Sequence, residues 1–183
     1  MAQPSRLYSI FLHAMLIALA ASSFTLASQN RDLIAMQSAD ASPSAFEVGA
    51  PLAPFEVITA DQDQPRVFQV GASERPQLLF FFNTRCGACR ENQTHWRALY
   101  DTLGDSIDVL GVSLDNPAET AAYVERLGLP FPTVSASDPN ALAETLGLTR
   151  IPETVRIGTD GTVTDAWLGV LTTGALAKLG IGV

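Results

Sequence analysis

The only cysteines of this 183-residue chain, Cys86 and Cys89, stand directly behind the apolar run Gln77-Leu-Leu-Phe-Phe-Phe82. That run is too short for a typical helix and too apolar for a strand with one wet face, so it reads as a central strand buried on both sides. After it, Cys89, Gln93, Trp96, Leu99 or Tyr100 and Leu103 recur at helical spacing until Gly104 closes the pattern. The thiols therefore lie at a strand-to-helix junction. A strand that must be covered on both faces selects a layered α/β architecture.

The remaining punctuation agrees. Phe55-Glu-Val-Ile58 and Arg66–Val70 read as strands around the turn Asp61–Pro65, and Ile107–Ser113 as a second central strand. Asn116 reads as an N-cap with Pro117 at the first helical position and Glu119 three residues after the cap, for a helix running to Leu127 and stopping at Gly128. Asp138-Pro139 opens a short helix ending at Gly147. Thr154–Ile157 and Thr162–Leu168, joined by Thr159-Asp-Gly161, read as an antiparallel hairpin, and Thr172 or Thr173 caps a last helix. No internal repeat is present. The expectation is a mixed central sheet with helices on both faces.

With 47% hydrophobic residues, the chain can build a core without metal or disulfide staples. Nineteen acidic against eleven basic residues, with no basic cluster, exclude a phosphate-binding footprint and hence nucleic acid as a partner. The N-terminus is different in kind. No formal charge occurs between Arg6 and Arg31, and Ile10–Ala21 is apolar apart from His13. Behind a basic start this has the length of a signal-peptide core, with Thr25-Leu26-Ala27 offering small residues for cleavage. The longer run Leu7–Ala27 also suffices for an uncleaved anchor. Either way the positive-inside rule leaves Arg6 cytoplasmic and exports the rest. Residues 1–27 are thus expected to be a signal peptide or anchor, 28–45 a linker, and 46–183 the folded domain.

A thiol at a helix start meets unpaired backbone N–H groups and the positive end of the helix dipole, which favour its thiolate. Cys86 is therefore the expected nucleophile. Cys89, one turn in, is placed to resolve a mixed disulfide. Arg85 and Arg90 flank the pair and are candidates for tuning the thiolate. A zinc site needs further ligands, and the exported region adds only His95; haem attachment needs His after the second cysteine, where Arg90 stands. A purely structural bridge over so short a ring gains little entropy. No metal and no cofactor are expected. Trp96 falls in the core stripe of the helix and His95 outside it; Trp167, at a strand end, reads as core.

Gly49-Ala-Pro-Leu-Ala-Pro-Phe55, Leu78–Arg85 before the cysteines, Val109–Asp115, Gly128–Val134 and above all Leu148-Thr-Arg-Ile-Pro-Glu-Thr154 with Asp160-Gly161 carry a resemblance. Over roughly Phe46 to Leu179 the chain resembles the thioredoxin fold, and within it the exported thiol-disulfide oxidoreductases of the TlpA, ResA and CcmG (DsbE) type. The resemblance implies N-terminal extra strands, a βα insertion and a redox-active Cys86–Cys89 disulfide. It also implies a cis Ile151–Pro152 bond facing the disulfide, with Ile151 and Pro152 forming the backbone ledge for substrate. The implied partners are disulfide-containing exported proteins, apocytochrome c in cytochrome c maturation among them, and a membrane thiol electron donor, at the periplasmic side of the inner membrane. Three positions depart from the pattern. Arg85 replaces a frequent Trp, Asn92 stands where many relatives have an acid, and Phe80 occupies the place of the buried acid of thioredoxins. Glu91, Glu153 or water is left to take the proton of Cys89. Two rivals remain: a peroxiredoxin-like thiol peroxidase, whose peroxidatic cysteine usually follows Pro and Thr in a pattern Phe80–Arg85 lacks, and a non-catalytic thioredoxin-like binding module, against which both cysteines and Pro152 speak.

Overall fold

A computed structural model describes residues 11–23, 25–26, 44–62 and 64–181, and the chain divides into two compact units, 1–42 and 43–183. In the first unit residues 11–23 form helix α1, with every side chain exposed. Among the described residues no helix is long and apolar enough to cross a membrane. Residues 1–10, Phe24 and Ala27 of the expected leader, and 28–43 of the expected linker, lie outside the described residues.

The second unit runs β1 (Phe55–Ile58), β2 (Arg66–Phe68), β3 (Gln77–Phe82), α2 (Gly87–Leu103), β4 (Asp108–Ser113), α3 (Pro117–Leu127), β5 (Thr133–Ala136), α4 (Pro139–Leu146), β6 (Glu153–Ile157), β7 (Val163–Leu168) and α5 (Thr173–Lys178). The caps are the expected ones. The Asn116 side chain accepts from Glu119 N–H, Asp138 from Asn140 and Ala141 N–H, and Thr172 from Ala175 N–H.

The seven strands form one sheet in the order β2-β1-β5-β4-β3-β6-β7. β3 pairs parallel with β4 and antiparallel with β6, and all six of its residues are buried, as its unbroken apolar run required. Leu79 and Phe81 join Phe46, Phe55, Val57, Val155 and helix α4 in one core layer. Leu78, Phe80 and Phe82 join Cys89, Trp96 and Leu99 of α2, Tyr123 of α3 and Leu176 of α5 in the other. Each of these buried aromatic and aliphatic side chains contributes about 1.5–3 kcal/mol relative to exposure. Helices thus cover both faces, in a thioredoxin-like arrangement.

Three details depart from the expectation. β2 stops at Phe68 rather than Val70, because the β1 register that pairs Phe55 with Phe68 would place Pro54 opposite Gln69, and proline has no N–H for the ladder. β5 has no counterpart among the expected strands: it is short, holds Ser135, and is a strand through pairing with both β4 and β1. With α3 it forms the additional helix–strand unit that the resemblance implied. Trp167 is only half-buried, packing against the edge of the second layer.

Candidate active site

The turn between β3 and α2 is built by its own side chains. Asn83 accepts Cys86 N–H at its backbone oxygen (3.4 Å) and Arg85 N–H at Oδ1 (3.1 Å), folding the chain out of the strand. Parallel pairing of Phe82 with Ser113 sets the loop after β4 alongside, and there Asp115 Oδ2 accepts Thr84 N–H at 2.6 Å. Cys86 is the N-cap of α2, in extended conformation, and its sulfur accepts Cys89 N–H at 3.0 Å. No acidic residue occupies the first turn. The amide and the helix dipole therefore act on Cys86 without a nearby acid of that helix to oppose them.

Cys86 and Cys89 form a disulfide with an S–S distance of 2.19 Å and Cα atoms 5.2 Å apart. The two sulfurs differ in access: Cys86 is half-buried, whereas Cys89 is fully enclosed at 0% exposure among Phe80, Phe82 and Trp96. The flanking arginines face outward. Arg85 is 82% exposed at its side chain and lies 3.8 Å from Asp115, which offsets its charge. Arg90 is exposed and acts on the Tyr123 phenol, whose pKa burial raises while the Gln93 hydrogen bond, Arg90 and Arg126 oppose.

The Ile151–Pro152 peptide is cis. Ile151 is half-buried and touches both core layers; Pro152 is buried. Antiparallel pairing of Phe81 with Glu153 brings the start of β6 to the end of β3 from which the cysteine turn departs. One residue on, Thr154 Oγ1 accepts the Trp96 Nε1–H at 3.0 Å, tying β6 to α2 inside the core. The Pro152 carbonyl accepts Gly169 N–H at 2.8 Å, and Asn92 of α2 holds that same segment: its Nδ2 donates to Gly169 O and its Oδ1 accepts from Leu171 N–H, each at 2.8 Å.

The structure removes Glu153 as acceptor for the Cys89 proton. Glu153 shares a sheet face with Phe81, whereas Cys89 packs with Phe80 and Phe82 on the other. Its carboxyl turns instead to Ser44 Oγ (2.6 Å) and Ala45 N–H (2.9 Å), and burial pushes its pKa up against those bonds and Arg150. Glu91 is exposed and His95 half-buried. Asn83, Asp115 and Gly169 are parts of the site that the sequence reading misses. An Asx-turn signal at Asn83 is available in the sequence; Asp115 and Gly169 enter only through strand register and long-range hydrogen bonds.

Residues 48–166 match the AhpC/TSA family. A probable thiol:disulfide interchange protein, DsbE-2, from Pasteurella multocida (strain Pm70) is 27% identical over 126 residues, covering 68% of this chain and 65% of that protein. The chain thus spans just under two thirds of the length of that relative. Among solved structures, StoA from Bacillus subtilis superposes with a TM-score of 0.55 at 20% identity, covering 70% of this chain and 96% of that one. A peroxiredoxin-like protein from Aquifex aeolicus gives 0.61 at 17% identity, covering 76% and 88%. The sheet order, the cysteine pair at the head of α2 and the family match over most of the folded unit lead to one assignment: the chain belongs to the AhpC/TSA family, in a thioredoxin fold.

Proposed function

We propose that this chain is an extracytoplasmic thiol-disulfide oxidoreductase that reduces disulfides of exported proteins through Cys86 and Cys89. The observation that carries this reading is the unequal access of two bonded sulfurs, one at a helix N-cap and half-buried, the other enclosed one turn further in. In the reduced enzyme the Cys86 thiolate attacks a client disulfide, forming a mixed disulfide and releasing one client thiolate. Cys89 gives its proton to that departing thiolate and attacks the Cys86 sulfur, which restores the Cys86–Cys89 disulfide and frees the second client sulfur. The client gains two electrons, and a membrane thiol donor returns them to the enzyme. Ile151 and Pro152 supply the backbone ledge for the client, and Arg85 and Arg90, both solvent-facing, act at most weakly on the thiolate.

The charge-free N-terminal stretch supports the compartment, and the likeness to a probable thiol:disulfide interchange protein supports the exchange chemistry; apocytochrome c as client rests on the sequence resemblance to the CcmG (DsbE) type. The peroxidase alternative draws on the family match and on the peroxiredoxin-like neighbour. It needs the Cys86 thiolate to attack a hydroperoxide, releasing the alkoxide as alcohol and leaving a sulfenic acid that a second thiol condenses with to a disulfide and water. The purified chain, supplied with dithiothreitol, is expected to reduce insulin; Cys89→Ser is expected to accumulate mixed disulfides, and Cys86→Ser to be inactive. Full activity of Cys86→Ser, or hydroperoxide turnover by Cys89→Ser, overturns the reading. A reduction potential below about −200 mV marks a reductant and one near −120 mV an oxidant. Proteins trapped on Cys89→Ser in cells identify the client.

A further inference from the structure

We infer that Asn92 is a positioning residue that sets the substrate ledge at Pro152 against the cysteine pair; the inference rests on the reading of Pro152 given above. Asn92 lies one turn beyond Cys89 on α2 and is fully enclosed. Its amide is spent on a segment far away in sequence: Nδ2–H to Gly169 O and Leu171 N–H to Oδ1, both 2.8 Å. Gly169 passes the link on, because its own N–H donates to the Pro152 carbonyl at 2.8 Å. One unbroken path of hydrogen bonds therefore joins the helix that carries Cys89 to the peptide that precedes β6.

The chemistry of the side chain is specific. The segment presents one carbonyl and one N–H to α2, and an amide of this length supplies one donor and one acceptor to match. A carboxylate at this position would set an acceptor against the Gly169 carbonyl. An apolar side chain would leave both backbone groups buried and unpaired. Gly169 is fitted to its part: at φ +89° it holds a conformation that side chains rarely adopt, while the space a Cβ would occupy has no neighbour within 4 Å, so Gly169→Ala strains the same segment without a clash.

The test compares Asn92→Leu, Gly169→Ala and the double variant of the full chain with the unsubstituted protein. Reduction of the Cys86–Cys89 disulfide by dithiothreitol needs no ledge, whereas reduction of insulin does. Each single variant is expected to raise KM for insulin about tenfold, about 1.4 kcal/mol of lost positioning, with kcat and the dithiothreitol rate within about twofold. The double variant is expected to be no worse than the worse single, because both cut one path. Parallel loss of dithiothreitol reduction and insulin reduction, or KM increases that multiply in the double variant, overturns the inference. If Asn92→Leu does not fold, Gly169→Ala alone must show the split, and its absence is equally decisive. An unsubstituted chain that reduces no insulin sinks the functional reading, and this inference with it; normal activity with unchanged variants sinks the inference alone.

Discussion

Glu153 and Ser44 are 109 positions apart in sequence and share a 2.6 Å hydrogen bond, with the hydroxyl donating to the buried carboxyl. Burial raises the Glu153 pKa, and the bonds from Ser44 and Ala45 only partly oppose it. The folded chain therefore holds this proton more tightly than the unfolded chain does. Its contribution to stability falls as pH rises from the ordinary glutamate value, about 4.3, through the raised folded value, and is level above that. Glu153→Gln removes the dependence. Thermal unfolding is expected to show the two proteins nearly equal at about pH 4 and the variant favoured at about pH 7; a gap that does not change with pH contradicts this.

Trp96 donates to Thr154 Oγ1 at 3.0 Å where both are enclosed. Trp96→Phe strands that hydroxyl and is expected to cost about 1–3 kcal/mol beyond the smaller ring, read by urea unfolding. Adding Thr154→Val removes the stranded group and is expected to recover part of the loss. A double variant that loses the sum of the two single costs rules out the coupling.

Asp115 holds Thr84 N–H at 2.6 Å and lies 3.8 Å from Arg85, immediately before the reactive cysteine. Asp115→Asn keeps an acceptor for Thr84 and removes one negative charge, so the Cys86 thiolate is expected to form at lower pH in the variant. Arg85→Gln is expected to move it the other way and less, because a side chain 82% exposed is screened by solvent. The alkylation rate of the reduced protein with iodoacetamide as a function of pH reads both shifts. No shift in Asp115→Asn would show that this charge does not reach the sulfur.

Gly71 has φ +69°, and a Cβ there would come within 2.6 Å of Gly161 N, a backbone atom of the β6–β7 turn. Gly71→Ala is expected to cost more than about 2 kcal/mol. Gly87→Ala, where nothing lies within 4 Å and φ is not positive, serves as the contrast; it is expected to change stability by less than about 1 kcal/mol. Equal melting temperatures for the two alanine variants would refute the steric account.

What was legible in the sequence is what local chemistry decides. The cysteine pair, the caps Asn116 and Asp138 and the buried run of β3 are each stated by a few adjacent residues, and Pro152 was reached through its motif. Thr133–Ala136 was not legible, because so short a segment is a strand only by virtue of its neighbours on both sides. The same holds for side chains whose partners are remote. Asn92 reads as a missing acid until Gly169 and Leu171 stand opposite it, and Glu153 reads as a proton acceptor until pairing with Phe81 puts it on the far face of the sheet.

The β3–β6 pairing has a consequence for when the chain becomes competent. The cysteine turn is local, but the peptide beside it arrives at residue 152, after two crossover connections and the α4 segment, and joins only when Phe81 meets Glu153. An emerging or half-folded chain therefore carries the cysteine turn before it carries Pro152. On the proposed reading of Ile151 and Pro152 as the client ledge, completion of the central sheet converts an indiscriminate dithiol into a selective one.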